Sequence, residues 1–253
     1  MIPWYYLRPV IGKGEREFGA MNIKTLSANV EAEMESLFQE WEETHKRKGY
    51  ERFIRDGIVS SEDWYGQPTP KICYILKEAY SDDNGYDLAK RLKENEPWQM
   101  WKKVAVWTEA IFQAFGDVKE YDQARIQSNT RQNINRIAVI NVKKSNGQSK
   151  SDYKELRDCA KEDSVFLRRE LDIINSDIIV CGYTSHCLRT ILGNDWKNNK
   201  TAMTLFGEWN GKLVIDYYHP ASQYPHRVNY YALMSICQVA RKKYKILSDY
   251  HKE

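Results

Sequence analysis

Short apolar runs alternate with longer amphipathic stretches along this chain, and this alternation predicts strands separated by helices. The apolar runs are rich in isoleucine and valine, are too short for helices and end at polar residues or glycine. The predicted strands are Lys71–Leu76, Ile137–Val142, Asp177–Cys181, Thr201–Phe206 and Lys212–Tyr218. A turn at Glu208–Gly211 is predicted to join the last two strands.

The longer stretches carry apolar residues at helical spacing, with polar residues on the opposite face. In the clearest of them, Leu26–His45, a stripe that includes Met34 and Trp41 marks the face that packs on the protein. Further helices are predicted at Tyr86–Lys93, Trp98–Phe115, Asp122–Asn133, Asp152–Asn175, Ser185–Leu192 and Val228–Leu247.

Strands and helices in this order predict a three-layer α/β/α fold with a mainly parallel central sheet. Residues 67–253 are expected to form this α/β domain. Residues 1–66 are expected to be an N-terminal helical extension that packs on the core. No linker divides the chain further.

The composition favours a packed globular protein. Of the 253 residues, 42% are hydrophobic and 29% charged, which excludes wholesale disorder. The net charge of +3 permits nucleic-acid binding without requiring it. Any contact with nucleic acid would therefore depend on a local basic surface.

The cysteines and the distribution of apolar residues argue against a disulfide-bonded, zinc-binding or membrane-spanning protein. The five cysteines are scattered and include no C-x-x-C pair, which argues against a disulfide framework or a zinc site. No segment approaches the roughly 20 apolar residues that span a bilayer. The first ten residues lack the layout of a signal peptide. We expect a cytoplasmic protein with no membrane partner, no metal and no cofactor.

Three polar residues lie at the ends of predicted strands: Glu78 two residues after Leu76, Asn141 after the apolar residues Ile137–Ile140, and His219 directly after Tyr218. Open α/β sheets place their sites at the carboxyl ends of strands, so these side chains are candidates for one site. A carboxylate can orient water or offset positive charge, an amide can read the edge of a base, and an imidazole can stabilise a leaving oxygen.

Each of these residues also has a purely structural interpretation. Glu78 could form a salt bridge with Lys77 or another base. Asn141 could be a buried amide bonded to the backbone. His219 could be a structural residue at a strand end. Spacing along the chain does not by itself bring the three residues together.

Aromatic residues cluster after the first predicted strand. Tyr80 and Tyr86 lie on the loop side and are predicted to line a pocket, where one could stack on an extruded base. Trp98, Trp101 and Trp107 stand at helical spacing and are predicted to belong to the core.

Two segments could contact nucleic acid. Lys143, Lys144 and Lys150 belong to a basic, hydroxyl-rich loop that could hold phosphates or could simply be a solvated loop. After His219, Ser222 could approach a duplex, Tyr224 could wedge into the base stack and Arg227 could reach a phosphate. Together, these six residues of the two segments are predicted to bind DNA.

Four short motifs in this order resemble the uracil-DNA glycosylase superfamily, in a divergent form. That family has a carboxylate-bearing loop after its first core strand, then an asparagine, a strand that ends in glycine, and a His-Pro-Ser-like loop. The matching segments here are Lys77-Glu78-Ala79-Tyr80-Ser81, Asn141 in Val139–Lys144, Ile178–Gly182, and His219-Pro220-Ala221-Ser222. The resemblance spans roughly residues 70–243 and implies a four-stranded, mainly parallel central sheet.

The resemblance implies a monofunctional DNA glycosylase that flips out a pyrimidine and hydrolyses its bond to the sugar. Glu78 and His219 would be catalytic, and Asn141, Tyr80 and Tyr86 would bind the base. The first motif has Lys77 and Tyr80 where the family commonly has glycine and proline. This departure is compatible with uracil or with a bulky modified pyrimidine such as those of phage DNA.

Two other functions remain open from the sequence alone. A protein of the same fold could bind DNA or a flipped nucleotide without cleaving it. An enzyme of free nucleosides or nucleotides would need no surface for DNA. In the preferred interpretation the chain acts on DNA as a monomer.

Overall fold

The computed structural model describes residues 16–50, 52–66, 69–79, 85–145, 147, 151–193 and 205–244, with side chains from residue 23 onward. The strands are β1 (Ile54–Arg55), β2 (Gly57–Ile58), β3 (Ile72–Glu78), β4 (Tyr86–Asp87), β5 (Ile137–Lys143), β6 (Ile178–Gly182), β7 (Phe206–Trp209) and β8 (Lys212–Tyr217). The helices are α1 (Arg16–Arg47), α2 (Ser61–Gly66), α3 (Leu88–Glu94), α4 (Gln99–Phe115), α5 (Gln123–Ser128), α6 (Thr130–Asn135), α7 (Tyr153–Glu162), α8 (Ser164–Ile174), α9 (Ser185–Leu192) and α10 (His226–Tyr244).

A six-stranded sheet lies at the centre, in the order β2-β5-β3-β6-β8-β7. The four inner strands β5, β3, β6 and β8 are mutually parallel. The edge strands β2 and β7 pair antiparallel with their neighbours. All four carboxyl ends of the parallel strands therefore point to one edge of the sheet.

Helices cover both faces of the sheet because successive side chains of a strand point to opposite sides. Along β3, Tyr74 and Leu76 join the core under α3, α4, α6 and α10, whereas Cys73 and Ile75 join the core under α1, α7, α8 and α9. Strands buried on both faces read as continuous apolar runs, which is why the inner strands were visible in the sequence.

The mixed α/β class is therefore confirmed, with two additions to the sheet. The described sheet has six strands, and the four parallel ones form its centre. The edge strand β2 comes from Gly57–Ile58, a segment too short to give a strand pattern. Helix α1 packs Phe38 and Trp41 into the core beneath the sheet.

Several predicted boundaries move. The strand predicted at 201–206 overlaps β7 only at Phe206, because β7 runs Phe206–Trp209 and turns at Asn210-Gly211; residues 201–204 lie outside the described part. The predicted long helix 152–175 is two helices that meet at Asp163. At this junction the buried Asp163 carboxylate contacts His45 of α1 at 2.8 Å.

The predicted helix at Tyr86–Lys93 begins later than expected. Tyr86 and Asp87 form β4, which pairs with β1, and α3 begins at Leu88. The Asp87 carboxylate caps α3 by accepting a hydrogen bond from the Lys90 backbone N–H at 2.8 Å. In the described part of the chain, no helix has the length and apolar character needed to cross a bilayer.

Candidate functional site

A cavity of about 850 Å³ opens at the carboxyl edge of the parallel strands, between the two helical layers. The residues that line it come from the ends of β3, β5, β6 and β8 and from the starts of α3, α4 and α7. They are Leu76, Lys77, Glu78, Ala79, Tyr86, Leu88, Trp98, Met100, Trp101, Asn141, Ser151, Tyr153, Tyr183, Tyr218, His219, Ala221 and Ser222. The three polar residues Glu78, Asn141 and His219 therefore share one cavity.

Glu78 is the last residue of β3 and lies opposite Lys143 in the parallel register with β5. Its side chain is 5% exposed, and its Oε2 lies 3.4 Å from the Lys143 ammonium. The other oxygen, Oε1, is buried without a hydrogen-bond partner in the described residues. A buried carboxylate oxygen with no partner is costly in a folded protein, and a bound water or another hydrogen-bond donor or positive charge would relieve that cost.

Gly147 fixes the position of Glu78 by close approach. Its backbone N–H donates to the Ala79 carbonyl at 2.9 Å, which ties this residue to the end of β3. A Cβ at position 147 would lie 2.3 Å from the Glu78 Cγ, far inside van der Waals contact. The glycine thus lets the backbone press directly against the carboxylate side chain.

Asn141 is 1% exposed on β5 and lies opposite Leu76 of β3. Its side-chain amide donates to Asp56 Oδ2 at 3.1 Å, and its backbone N–H donates to the same oxygen at 2.7 Å. Asp56 in turn contacts the buried Lys144 ammonium. The sequence-based alternative for Asn141, a bond to the backbone, is replaced by a bond to a charged side chain that fixes the plane of the amide.

His219 follows β8 on a turn that holds its ring. The Ala221 backbone N–H donates to Nδ1 at 3.2 Å, so the neutral ring carries its proton on Nε2. Burial, and then the positive charge of Lys77, lower the pKa of His219 to about 4 from its ordinary 6.5. The imidazole is therefore neutral at physiological pH and offers an N–H donor.

Gly182 allows the His219 loop to pack against the sheet. A Cβ at this position would lie 2.7 Å from the Leu76 side chain and 3.4 Å from Pro220. The glycine at the end of β6 is thus explained by close packing beside the cavity.

Lys77 stands beside Glu78 but projects towards the other helical layer. Its ammonium donates to the Tyr153 hydroxyl at 3.0 Å. It also lies 4.7 Å from the ring centre of Tyr153 and 5.3 Å from that of Tyr183. Two tyrosine rings thus hold a cation at the cavity wall.

The backbone of Tyr183 is in the left-handed region, with φ +63°. Its N–H donates to the Tyr217 carbonyl at 2.8 Å, directly after β6 ends. A non-glycine residue in this region carries about 1–3 kcal/mol of strain, and such strain clusters at functional sites. The strained turn places an exposed ring at the cavity.

The opposite wall is also aromatic. Trp98 and Trp101, whose ring centres are 5.9 Å apart, line the cavity together with Tyr86. The prediction of a core residue is confirmed for Trp101, which is buried, but it was wrong for Trp98, which is 42% exposed. Trp107 is buried and packs against Tyr217, as expected of a core residue.

Two of the predicted DNA contacts were wrong. Lys144 is fully buried between Asp56 and Glu170, with its ammonium 4.9 Å from the Trp41 ring, so it cannot reach a phosphate. Burial opposes the charge of Lys144, but the two carboxylates outweigh burial and raise its pKa.

Lys143 is likewise inside the protein, with 8% of its side chain exposed. It bonds Glu155 at 2.7 Å and contacts Glu78, and these carboxylates outweigh burial and raise its pKa. Its role changes from phosphate contact to ion-pair partner of Glu78.

The remaining predicted residues fall into two groups. Ser222 lines the cavity, and Tyr224 and Arg227 are exposed beyond it, with the Tyr224 ring 4.5 Å from that of Tyr218. Tyr80 and Lys150 lie outside the described residues.

The sequence-based search missed Asp56, Tyr153, Tyr183 and Tyr218. Tyr183 and Tyr218 follow β6 and β8 directly, so the rule that found His219 would have found them. Asp56 gave no signal, because only the register of β2 against β5 brings it to Asn141.

Comparisons with family models, curated proteins and solved structures found no match for this chain.

Proposed function

We propose that the chain is a monofunctional DNA glycosylase of the uracil-DNA glycosylase type. It would flip out a pyrimidine and hydrolyse its N-glycosidic bond. The observation that carries the proposal is the convergence of Glu78, Asn141 and His219, from three separate strands, on one cavity. The four parallel inner strands are compatible with the four-stranded sheet expected from the resemblance.

Asn141 is the base-reading residue in this proposal. Asp56 holds one amide N–H, so the amide plane is set before a ligand arrives. The second N–H and the carbonyl oxygen could then meet an acceptor and a donor on the Watson–Crick edge of a pyrimidine. Fixed polar groups in an apolar pocket are a common basis of specificity.

Aromatic side chains would hold the face of the flipped base. Tyr86 keeps its predicted role, and Trp98 and Trp101 on the same wall offer further rings. The cavity of about 850 Å³ is at the large end of small-molecule pockets, which span roughly 300–1,000 Å³. This size is compatible with a bulky modified base as well as with uracil.

Cleavage would break the bond between the base nitrogen and the sugar C1′, with both electrons leaving on the base. The sugar becomes an oxocarbenium ion, as in other glycoside hydrolyses. The free Oε1 of Glu78 would stabilise that positive charge and orient water, whose oxygen bonds C1′ as its proton is released. The base anion then takes a proton from solvent.

His219 would donate its Nε2–H to the oxygen of the base that gains negative charge. The bond from Ala221 to Nδ1 selects this tautomer. Because the lowered pKa keeps the ring neutral, its N–H donor is available across the physiological range. The exposed Tyr224 and Arg227 would meet the DNA around the flipped nucleotide.

The test is release of free base from a DNA panel. The panel contains oligonucleotides with uracil or oxidised pyrimidines and phage genomes with unmodified, hydroxymethylated or glucosylated cytosine. Alkali-labile sites on at least one substrate are expected. DNA binding with no abasic site on any substrate would instead support a non-catalytic binding protein.

A further inference from the structure

The charges around Glu78 are arranged asymmetrically. Lys143 is shared by Glu78 and Glu155, so its positive charge is neutralised inside the protein. Lys77, one residue before Glu78, forms no ion pair with a carboxylate in the described part of the chain. Among the described residues, no acidic side chain pairs with this positive charge at the cavity wall.

The ammonium of Lys77 is held in place but keeps N–H donors that can bind a ligand. Of its three N–H donors, one is directed to the Tyr153 hydroxyl. The rings of Tyr153 and Tyr183 restrict the rest of the group. The Tyr153 hydroxyl and the two aromatic rings fix this cation at a half-exposed wall of the cavity, where it can act on a negative charge that enters the cavity.

The group that gains negative charge in the proposed reaction is the departing base. His219 stands at the same cavity and is a neutral donor, so it offers a hydrogen bond but no full charge. The charge of Lys77 already acts at this position, since it contributes to the lowered pKa of His219. The leaving base would thus meet both a neutral donor and a cation.

We propose that Lys77 is a further catalytic residue, whose ammonium stabilises the negative charge that develops on the departing base. This role rests on the proposed glycosylase function. It also explains why a lysine can stand where the resembling family commonly has glycine. No covalent bond to Lys77 forms: the base leaves with the bonding electrons, and the ammonium keeps its three protons.

The experiment compares Lys77→Met and Lys77→Gln, which remove the charge, with Lys77→Arg, which keeps it. Lys242→Met, at an exposed position near the end of α10, is the matched control. Single-turnover base release would be measured on oligonucleotides with uracil, 5-fluorouracil and glucosylated hydroxymethylcytosine. Thermal melting of each variant would establish that it is folded.

Both neutral variants should release uracil about 10²-fold more slowly, the loss typical of one removed stabilising donor. The loss should be smaller for 5-fluorouracil, because its anion is more stable and needs the cation less. Lys77→Arg should retain most of the rate, and Lys242→Met all of it. A purely structural role of Lys77 would slow both bases equally.

A second measurement does not depend on catalysis. Titration of His219 by NMR should show a higher pKa in Lys77→Met than in the wild type, because removal of a nearby cation favours the imidazolium. An unchanged His219 pKa would show that the Lys77 charge does not reach the site and would overturn the proposal.

The remaining outcomes separate the two proposals. Wild-type release with equal rates in Lys77→Met overturns the role of Lys77 alone. A wild type that releases none of these bases overturns the glycosylase function and the role of Lys77 with it. A DNA adduct that borohydride traps with the wild type but not with Lys77→Met would make Lys77 a nucleophile and contradict the charge-stabilising role.

Discussion

Asp56 accepts two hydrogen bonds from Asn141 on the same oxygen, from the backbone N–H at 2.7 Å and from the side-chain amide at 3.1 Å. The residue that would read the base is thus oriented by a carboxylate from the segment before β2. That carboxylate is itself held by Lys144. The N-terminal part of the chain is therefore connected to the cavity through buried polar contacts.

Asn141→Ala should lower base release by about 10²–10³-fold, because a hydrogen bond to the substrate disappears. The free energy of unfolding should fall by about 1.5–3 kcal/mol, since a buried hydrogen bond to the Asp56 carboxylate is lost. Single-turnover kinetics and urea unfolding measure the two effects. Undiminished release would remove Asn141 from the site.

Lys144→Met should destabilise the protein by about 3–5 kcal/mol, because it leaves buried carboxylates without their cation. The salt dependence of DNA binding should not change, since Lys144 is buried. Arg227→Gln is the matched comparison: it lies on the surface, and its loss should reduce the salt slope by about one unit. A weaker salt dependence of DNA binding in Lys144→Met would show that Lys144 contacts a phosphate after all.

Gly147→Ala should slow base release at least about tenfold. The added Cβ would lie only 2.3 Å from the Glu78 Cγ, so the Glu78 side chain would have to move. Gly66→Ala is the control, since a Cβ there meets no atom within 4 Å. Single-turnover rates and melting temperatures of both variants test this. If the two variants cleave alike, the close approach at Glu78 does not matter for catalysis.

The pH profile of base release should show no loss from His219 between about pH 8 and 5.5, because its pKa is near 4. Activity should fall only as the ring protonates near pH 4. The free energy of unfolding should also fall as the pH falls from 6.5 towards 4. In this range the unfolded state protonates His219 and the folded state does not, so the unfolded state binds more protons. A rise in activity below pH 6.5 would instead indicate an imidazolium donor.

The inner strands and the three polar residues at their ends could be predicted because both depend on local pattern. Ile137–Ile140 is a continuous apolar run, and Asn141 interrupts it. His219 follows another apolar run directly. Since parallel strands end at one edge, the strand pattern made these residues candidates for one site, and the structure shows that they line the same cavity.

The surroundings of these residues depend on contacts between distant segments and could not be predicted in the same way. Lys143 and Lys144 look like a basic loop, but they alternate across the end of β5 and meet carboxylates from β3, α7 and α8. Burial of a lysine is visible only once its partners are known.

The most direct measurement is the intact mass of the substrate oligonucleotide after incubation with the wild type and with His219→Ala. A glycosylase replaces the base by a hydroxyl group on the sugar, so the wild type should give that mass change and equimolar free base. His219→Ala should fold normally, bind DNA and react about 10²–10³-fold more slowly. Unaltered DNA with the wild type, or full activity in the variant, would contradict this account.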